Sequence, residues 1–314
     1  MADLRTAAAT AIHQCLDLGA EESIAIVTDD ERRAIAEALY EVAAETTADA
    51  TFVQYPPGDQ HGQEPPKPVA AAMESADAFL APTTRSLSHT RARSAACEAG
   101  ARGATLPGIT EQVMVAGLDA DYETIASHCE DVLEQVRDAD QVRVTSPAGT
   151  DITFAVDDRE WHEDTGMIRD PGSFSNLPAG EVFVAPADAN GTFVVDGTMM
   201  PHGLLTEEQE LSFEVEDGHV TDISDDSVRE DVEAARAEVG DAATNLAELG
   251  IGTNVGVTEL VGSVLLDEKA AGTVHIAIGD NASIGGDTEA PIHLDGILRS
   301  PTVYADGDEI SLPE

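Results

Sequence analysis

Residues Gly272–Leu298 read GTVHIAIGDNASIGGDTEAPIHLDGIL. Two short apolar runs, TVHIAIG and PIHLDGIL, flank a stretch rich in glycine, aspartate and serine. Runs of this length, bounded by turn residues and rich in Val, Ile and Leu, read as buried strands. Each run spends an imidazole on a place that normally takes an aliphatic side chain: His275 in the first, His293 in the second. Alternate residues of an extended chain share a face, so His293 and Asp295 point the same way, and residues 273, 275 and 277 share one face of the neighbouring run. A histidine in such a setting is either core, satisfied by one backbone hydrogen bond, or a ligand.

Working outward, the same strand-and-turn pattern fills the second half of the chain. QVRVTSPAGTDITFAVDD reads as a hairpin turning at Pro147–Gly149, and LSFEVEDGHVTDI as another with Asp217–Gly218 at its tip. EVFVAP, TFVVDG and the final TVYADGDEIS add strands, and helical spacing is expected over Asp226–Val239 and Thr258–Ala270. The first half differs. AAATAIHQCLDLG has apolar residues at helical spacing, ESIAIVTD reads as a buried strand, and Asp29 or Asp30 is placed to cap the helix that follows. ATFVQYP, DAFLAPT and GATLPG continue the alternation, which implies a mainly parallel sheet covered by helices. The expected fold class is therefore α/β: an α/β domain over residues 1–140, then a strand-rich α+β domain over 141–314 carrying the metal site. Neither GxGxxG nor a phosphate-binding GxxxxGK[ST] occurs, so the alternation alone implies no nucleotide.

The net charge is −45, from 61 acidic and 16 basic residues, and only two lysines occur, Lys67 and Lys269. The acids are scattered through ordinary amphipathic segments, so they form a carboxylate surface on a folded chain and not a disordered tail. Such a surface suits a salt-saturated cytoplasm and makes nucleic acid and anionic membranes poor partners. Cys15, Cys97 and Cys129 show no CxxC, and Met1–Ala20 lacks the pattern of a secretory signal; a reduced, cytoplasmic setting is expected. No GxSxG is present to support a serine nucleophile.

Further candidate ligands lie in comparable contexts. Glu181 opens the strand EVFVAP, and Glu248 sits in NLAELGIGTN, read as the end of a helical run before a glycine-rich turn. With His275, His293 and Asp295 they make a mixed nitrogen–oxygen donor set that suits Zn²⁺, Mn²⁺, Co²⁺ or Fe²⁺. Taken singly, Glu181 could be an edge-strand acid and Glu248 a solvated one. EWHED, around His162, reads as an exposed acidic loop. His202 reads as a turn residue, and His13, His61, His89, His128 and His219 as surface residues.

In order along the chain, NLPAGEVFVAP, AELGIGTN, LLDEKAAGTVHIAIGDN and HLDG resemble the M29 metal-dependent aminopeptidases of the aminopeptidase T type, over most of Asn176–Gly296. The resemblance implies two divalent ions (Zn, Co, Mn or Mg) held by Glu181, Glu248, His275, His293 and Asp295, and a homodimer. It implies a hydrolase that removes N-terminal residues from small peptide substrates by metal-activated water; among the carboxylates, Glu248 is the candidate to take the proton. Two features depart from that family: DNASIGG holds no tyrosine where one is placed a few residues beyond the first histidine, and the first domain is shorter. Ring-cleaving dioxygenases acting on dihydroxypyridines resemble the same fold family and use two histidines and an aspartate around one Fe(II). His275, His293 and Asp295 fit that composition. A non-catalytic metal-binding relative is the third reading.

Overall fold

The computed structural model describes residues 3–206 and 208–314. The chain forms two compact units. One holds the chain up to Ala126 together with Thr165–Ala179, and the other holds Ser127–Asp164 together with Gly180–Glu314. A single cut near Asp140 is the expectation from sequence; the units interleave instead. Thr165–Ala179 returns to the first unit because its strand Phe174–Asn176 pairs in parallel with Arg102–Pro107.

The first unit is built on a five-stranded parallel sheet in the order Asp49–Tyr55, Ser23–Asp29, Ala78–Thr83, Arg102–Pro107, Phe174–Asn176. Every residue of Ala78–Thr83 is buried, as expected of a strand covered on both faces. The helix Arg33–Thr46 buries Ile35, Ala36, Leu39, Val42 and Ala43, the spacing of one helical face. Asp29 does not cap it directly; its carboxylate accepts the amides of Glu31 and Arg32 just ahead of the helix. The first helical run is α-helical over Leu4–Ala9 and continues as a π-helical segment, Thr10–Cys15. Gly103 lies opposite Phe79, and a Cβ there would sit 2.4 Å from the Phe79 carbonyl oxygen, so only glycine admits the aromatic ring at this strand pair.

The second unit contains two seven-stranded sheets with antiparallel pairings throughout. In one, the hairpins expected from sequence appear as Gln141–Thr145 with Asp151–Ala155, and Leu211–Glu216 with His219–Ile223. The other runs in the order Gly203–Leu204, Thr198–Met199, His293–Leu298, Val274–Gly279, Leu246–Gly252, Glu181–Val184, Trp161–Asp164. It contains both strands of the Gly272–Leu298 stretch.

Three segments differ from the sequence expectation. Leu246–Gly252, including Glu248, is a strand and not a helix end; all seven residues are buried between two partner strands, so ladder pairing overrides the helical spacing read from NLAELG. Thr258–Ala270 is helical only at Val264–Asp267, because its backbone turns instead around the buried Asp267 carboxylate, which accepts the amides of Val261 and Gly262. EWHED is an edge strand, Trp161–Asp164, and His162 is half-buried against Phe183. The expected helix Asp226–Val239 is present, capped by Asp225. Among the described residues no helix is long and apolar enough to cross a membrane.

Candidate metal centre

Register brings the five candidate ligands onto one face of the second seven-stranded sheet. Glu181 lies opposite Gly252, Gly250 opposite His275, Glu248 and Asp295 both opposite Ala277, and His293 opposite Gly279. Residues directly opposite one another share a face, and so do alternate residues on one strand. The five side chains therefore project together, although they come from four strands spread over residues 181–295. A β-bulge between Leu246 and Glu248 sets the register of the Glu248 strand at this point.

The donor atoms interlock. His275 Nε2 lies 3.2 Å from Glu248 Oε1 and 3.4 Å from Glu181 Oε2. His293 Nε2 lies 3.4 Å from Glu248 Oε2 and 3.3 Å from Asp295 Oδ1. Glu248 thus stands between the two imidazoles, one oxygen toward each. On its far side, His293 Nδ1 donates to the Asp280 carbonyl oxygen at 2.7 Å, which leaves Nε2 turned to the carboxylates. The His275 ring lies against bare backbone: a Cβ on Gly250 would be 2.0 Å from its Nε2 and Cε1. Any other residue at 250 would push the ring out of place.

Two members of the site were not singled out from sequence. The Lys269 ammonium pairs with Glu181 Oε1 and lies 2.7 Å from Glu268 Oε1. Lys269 is 3 % exposed. A signal existed for it: a chain that keeps only two lysines and places one beside a ligand strand has a specific use for that ammonium. The centre grades from closed to open, since the His275 side chain is 1 % exposed and that of His293 35 %.

The electrostatics follow from this packing. Burial pushes the Glu181 carboxyl up to about 7 against the pull of Lys269 and His275. Burial would raise Glu248 too, but hydrogen bonds from His275 and His293 win and hold it well below the usual range. Burial works to lower His275, yet the Glu248 hydrogen bond and the Glu181 charge push it up to about 9. His293 is likewise held well above its ordinary value, against burial, by Asp295 and Glu248. The carboxylates favour the charged imidazoles, and the charged imidazoles in turn favour ionised Glu248.

The residues fit a divalent ion. Glu181 Oε2 and His275 Nδ1 are buried without a hydrogen-bond partner, an arrangement that costs stability unless something else satisfies the carboxylate. Among the described residues, two donor groups meet the spacing for an ion: Glu181, Glu248 and His275, and Glu248, His293 and Asp295. Their mixed imidazole and carboxylate chemistry suits a first-row transition metal. His202 lies apart, 3.0 Å from Asp225 at the start of the helix Asp226–Val239. His162 is on the same sheet, its ring tilted against Phe183 with centroids 5.4 Å apart, and is not a member of either donor group.

The family model described as 2,5-dihydroxypyridine 5,6-dioxygenase matches residues 3–312. The 2,5-dihydroxypyridine 5,6-dioxygenase of Pseudomonas putida is 26% identical over 196 residues, 58% of this chain and 55% of that protein, so the alignment spans about half the relative's length. Among solved structures, 2,5-dihydroxypyridine dioxygenase from Pseudomonas putida KT2440 matches with a TM-score of 0.76 at 20% identity, covering 97% of this chain and 94% of that one. AmpT from Thermus thermophilus matches with a TM-score of 0.69 at 19% identity, covering 98% and 99%. At these identities the two structures bear on fold, and the M29 resemblance read from the motifs holds at that level. With the family model spanning nearly all of its length, the chain belongs to the 2,5-dihydroxypyridine 5,6-dioxygenase family, built on the α/β fold of the M29 aminopeptidases.

Proposed function

We propose that this protein opens the ring of a dihydroxylated pyridine or a close heteroaromatic relative with dioxygen, using a single Fe(II) ion held among His275, His293 and Asp295. The observation that carries this reading is the family match over residues 3–312. The site supports it with two histidines and an aspartate on one sheet face, the composition used by non-haem iron oxygenases. An Fe(II) ion there would supply electron transfer to dioxygen and charge stabilisation for a bound hydroxyl-bearing ring edge.

The protein's own groups have separate tasks. The half-open His293 end admits the substrate, while Lys269, Glu181 and Glu268 close the other end in the interior. The Asp280 carbonyl fixes the His293 ring through Nδ1. Glu248, in contact with both imidazoles, is the acid–base residue by position: its proton affinity, held low by the imidazole protons, would rise once a metal replaced those protons, letting it take a proton from a substrate hydroxyl. Ring opening then breaks one ring carbon–carbon bond and places both oxygen atoms of O₂ in the product.

One observation favours a second reading, the metallo-aminopeptidase. The two donor groups share Glu248, one oxygen to each histidine, as a pair of close ions would require. Against it stands the tyrosine implied by that resemblance, which DNASIGG lacks. An oxygen electrode separates the readings. Protein loaded anaerobically with Fe(II) should consume one O₂ per 2,5-dihydroxypyridine lost, and Asp295→Asn should lower the rate by about a hundredfold or more. Release of N-terminal residues from short peptides by the Zn-, Co- or Mn-loaded protein, with no oxygen uptake by the Fe(II) form, would replace this reading with the second.

A further inference from the structure

We infer that Lys269 makes the two ends of the centre unequal, so that a divalent ion is held first among Glu248, His275, His293 and Asp295, and a second is taken at the Glu181 end only when Lys269 is removed. The inference rests on the metal-centre reading and holds whichever reaction the ion serves.

Three observations carry it. First, the ammonium already occupies Glu181: it pairs with Oε1 and with Glu268, leaving Oε2 facing His275 Nε2 at 3.4 Å. An ion bound through Oε2 would sit beside a fixed positive charge in a dry interior, where like charges repel with little screening. Second, Lys269 has no room to withdraw. It is 3 % exposed, and its carbonyl accepts the Asn254 amide at 2.8 Å. A Cβ on Gly252 would lie 2.1 Å from the Ala270 carbonyl oxygen, so this segment packs directly on the strand opposite Glu181. Asp267 secures the same segment by accepting from Thr198 Oγ1 at 2.6 Å and from the Gly262 amide at 2.7 Å. Third, among the described residues no lysine or arginine pairs with the other end: Asp295 and Glu248 Oε2 face the His293 imidazole, whose proton a metal can displace, near the open side. Lys269 is thus a positioning residue that acts through Glu181 and sets where, and how many, ions bind.

Calorimetric titration of the full chain with Mn(II), together with its electron paramagnetic resonance spectrum, reads this directly. The parent should take up one ion per chain with the spectrum of an isolated Mn(II). Glu181→Gln should change that affinity by less than about tenfold, whereas Asp295→Asn should weaken it by about a hundredfold or more. Lys269→Met should take up two ions and show the exchange-coupled spectrum of a close pair. Two ions of similar affinity in the parent, one ion in a folded Lys269→Met, or equal losses in Glu181→Gln and Asp295→Asn would each overturn the inference. If Lys269→Met does not fold, the contrast between the other two variants decides alone. One ion without dihydroxypyridine-dependent oxygen uptake supports the inference and removes the dioxygenase reading; no ion at all removes both.

Discussion

Adding Fe(II), Mn(II) or Zn(II) to chelator-treated protein should raise its melting temperature, and His275→Leu should abolish that rise. A ligand that binds only the native state stabilises it by about 4 kcal/mol when present at a thousand times its dissociation constant. The site has cause to respond, because Glu181 Oε2 is buried without a hydrogen-bond partner and Glu248 faces two imidazoles. His275→Leu exchanges the imidazole for an apolar group of similar size on a fully buried strand, so the metal-free fold should survive. His293→Leu should act alike. His162→Leu, which alters a ring tilted against Phe183 outside both donor groups, should leave the metal shift intact. The pH dependence has a definite sign. With His275 raised to about 9, the metal-free protein draws stability from its imidazolium pairing that is fully present below about 6.5 and is lost as pH rises through about 9. A metal must displace that proton, so its stabilising effect should grow over the same window. A full metal-induced shift in His275→Leu would return His275 to the role of a core residue.

Melting temperature should also climb steeply with KCl. With 61 acidic residues against 16 basic ones, most carboxylates have no cationic partner to face. Exposed pairs such as Arg5 with Glu45 at 2.6 Å and Arg143 with Asp151 at 2.7 Å weaken with salt, but surface pairs of this kind contribute only about 0–1 kcal/mol each. Self-repulsion over the whole surface is the larger quantity, and its range falls from about 10 Å at 0.1 M salt to about 3 Å at 1 M. A curve flat from about 0.1 M to multimolar KCl would show that repulsion does not limit the fold.

The parts of this site that period and spacing encode were legible in the sequence. His293 and Asp295 share a face because they are two apart on a strand, and Glu181 and His275 lie on the strands read for them. The parallel first sheet and the hairpins at Pro147–Gly149 and Asp217–Gly218 follow from alternation and turn chemistry. What depends on partners far along the chain was not legible. Glu248 has local helical spacing, and only its pairing with two other strands makes Leu246–Gly252 extended. The segment after Thr258 turns around Asp267, whose hydrogen bonds appear only once the chain is folded. EWHED reads as solvated because it is acidic, yet pairing with Glu181–Val184 makes it an edge strand with His162 half-buried. Lys269 was visible as a rarity but not as a partner of Glu181, which lies 88 residues earlier.

The claim on which the rest depends is that a metal ion sits among Glu248, His275, His293 and Asp295. Anomalous diffraction collected at the Fe, Mn and Zn edges, from crystals grown with each metal in turn, tests it most directly. The account predicts a strong peak bounded by His275 Nε2, His293 Nε2 and the Glu248 and Asp295 carboxylates. Well-diffracting crystals with no peak there, or with the metal bound only elsewhere on the acidic surface, would contradict it.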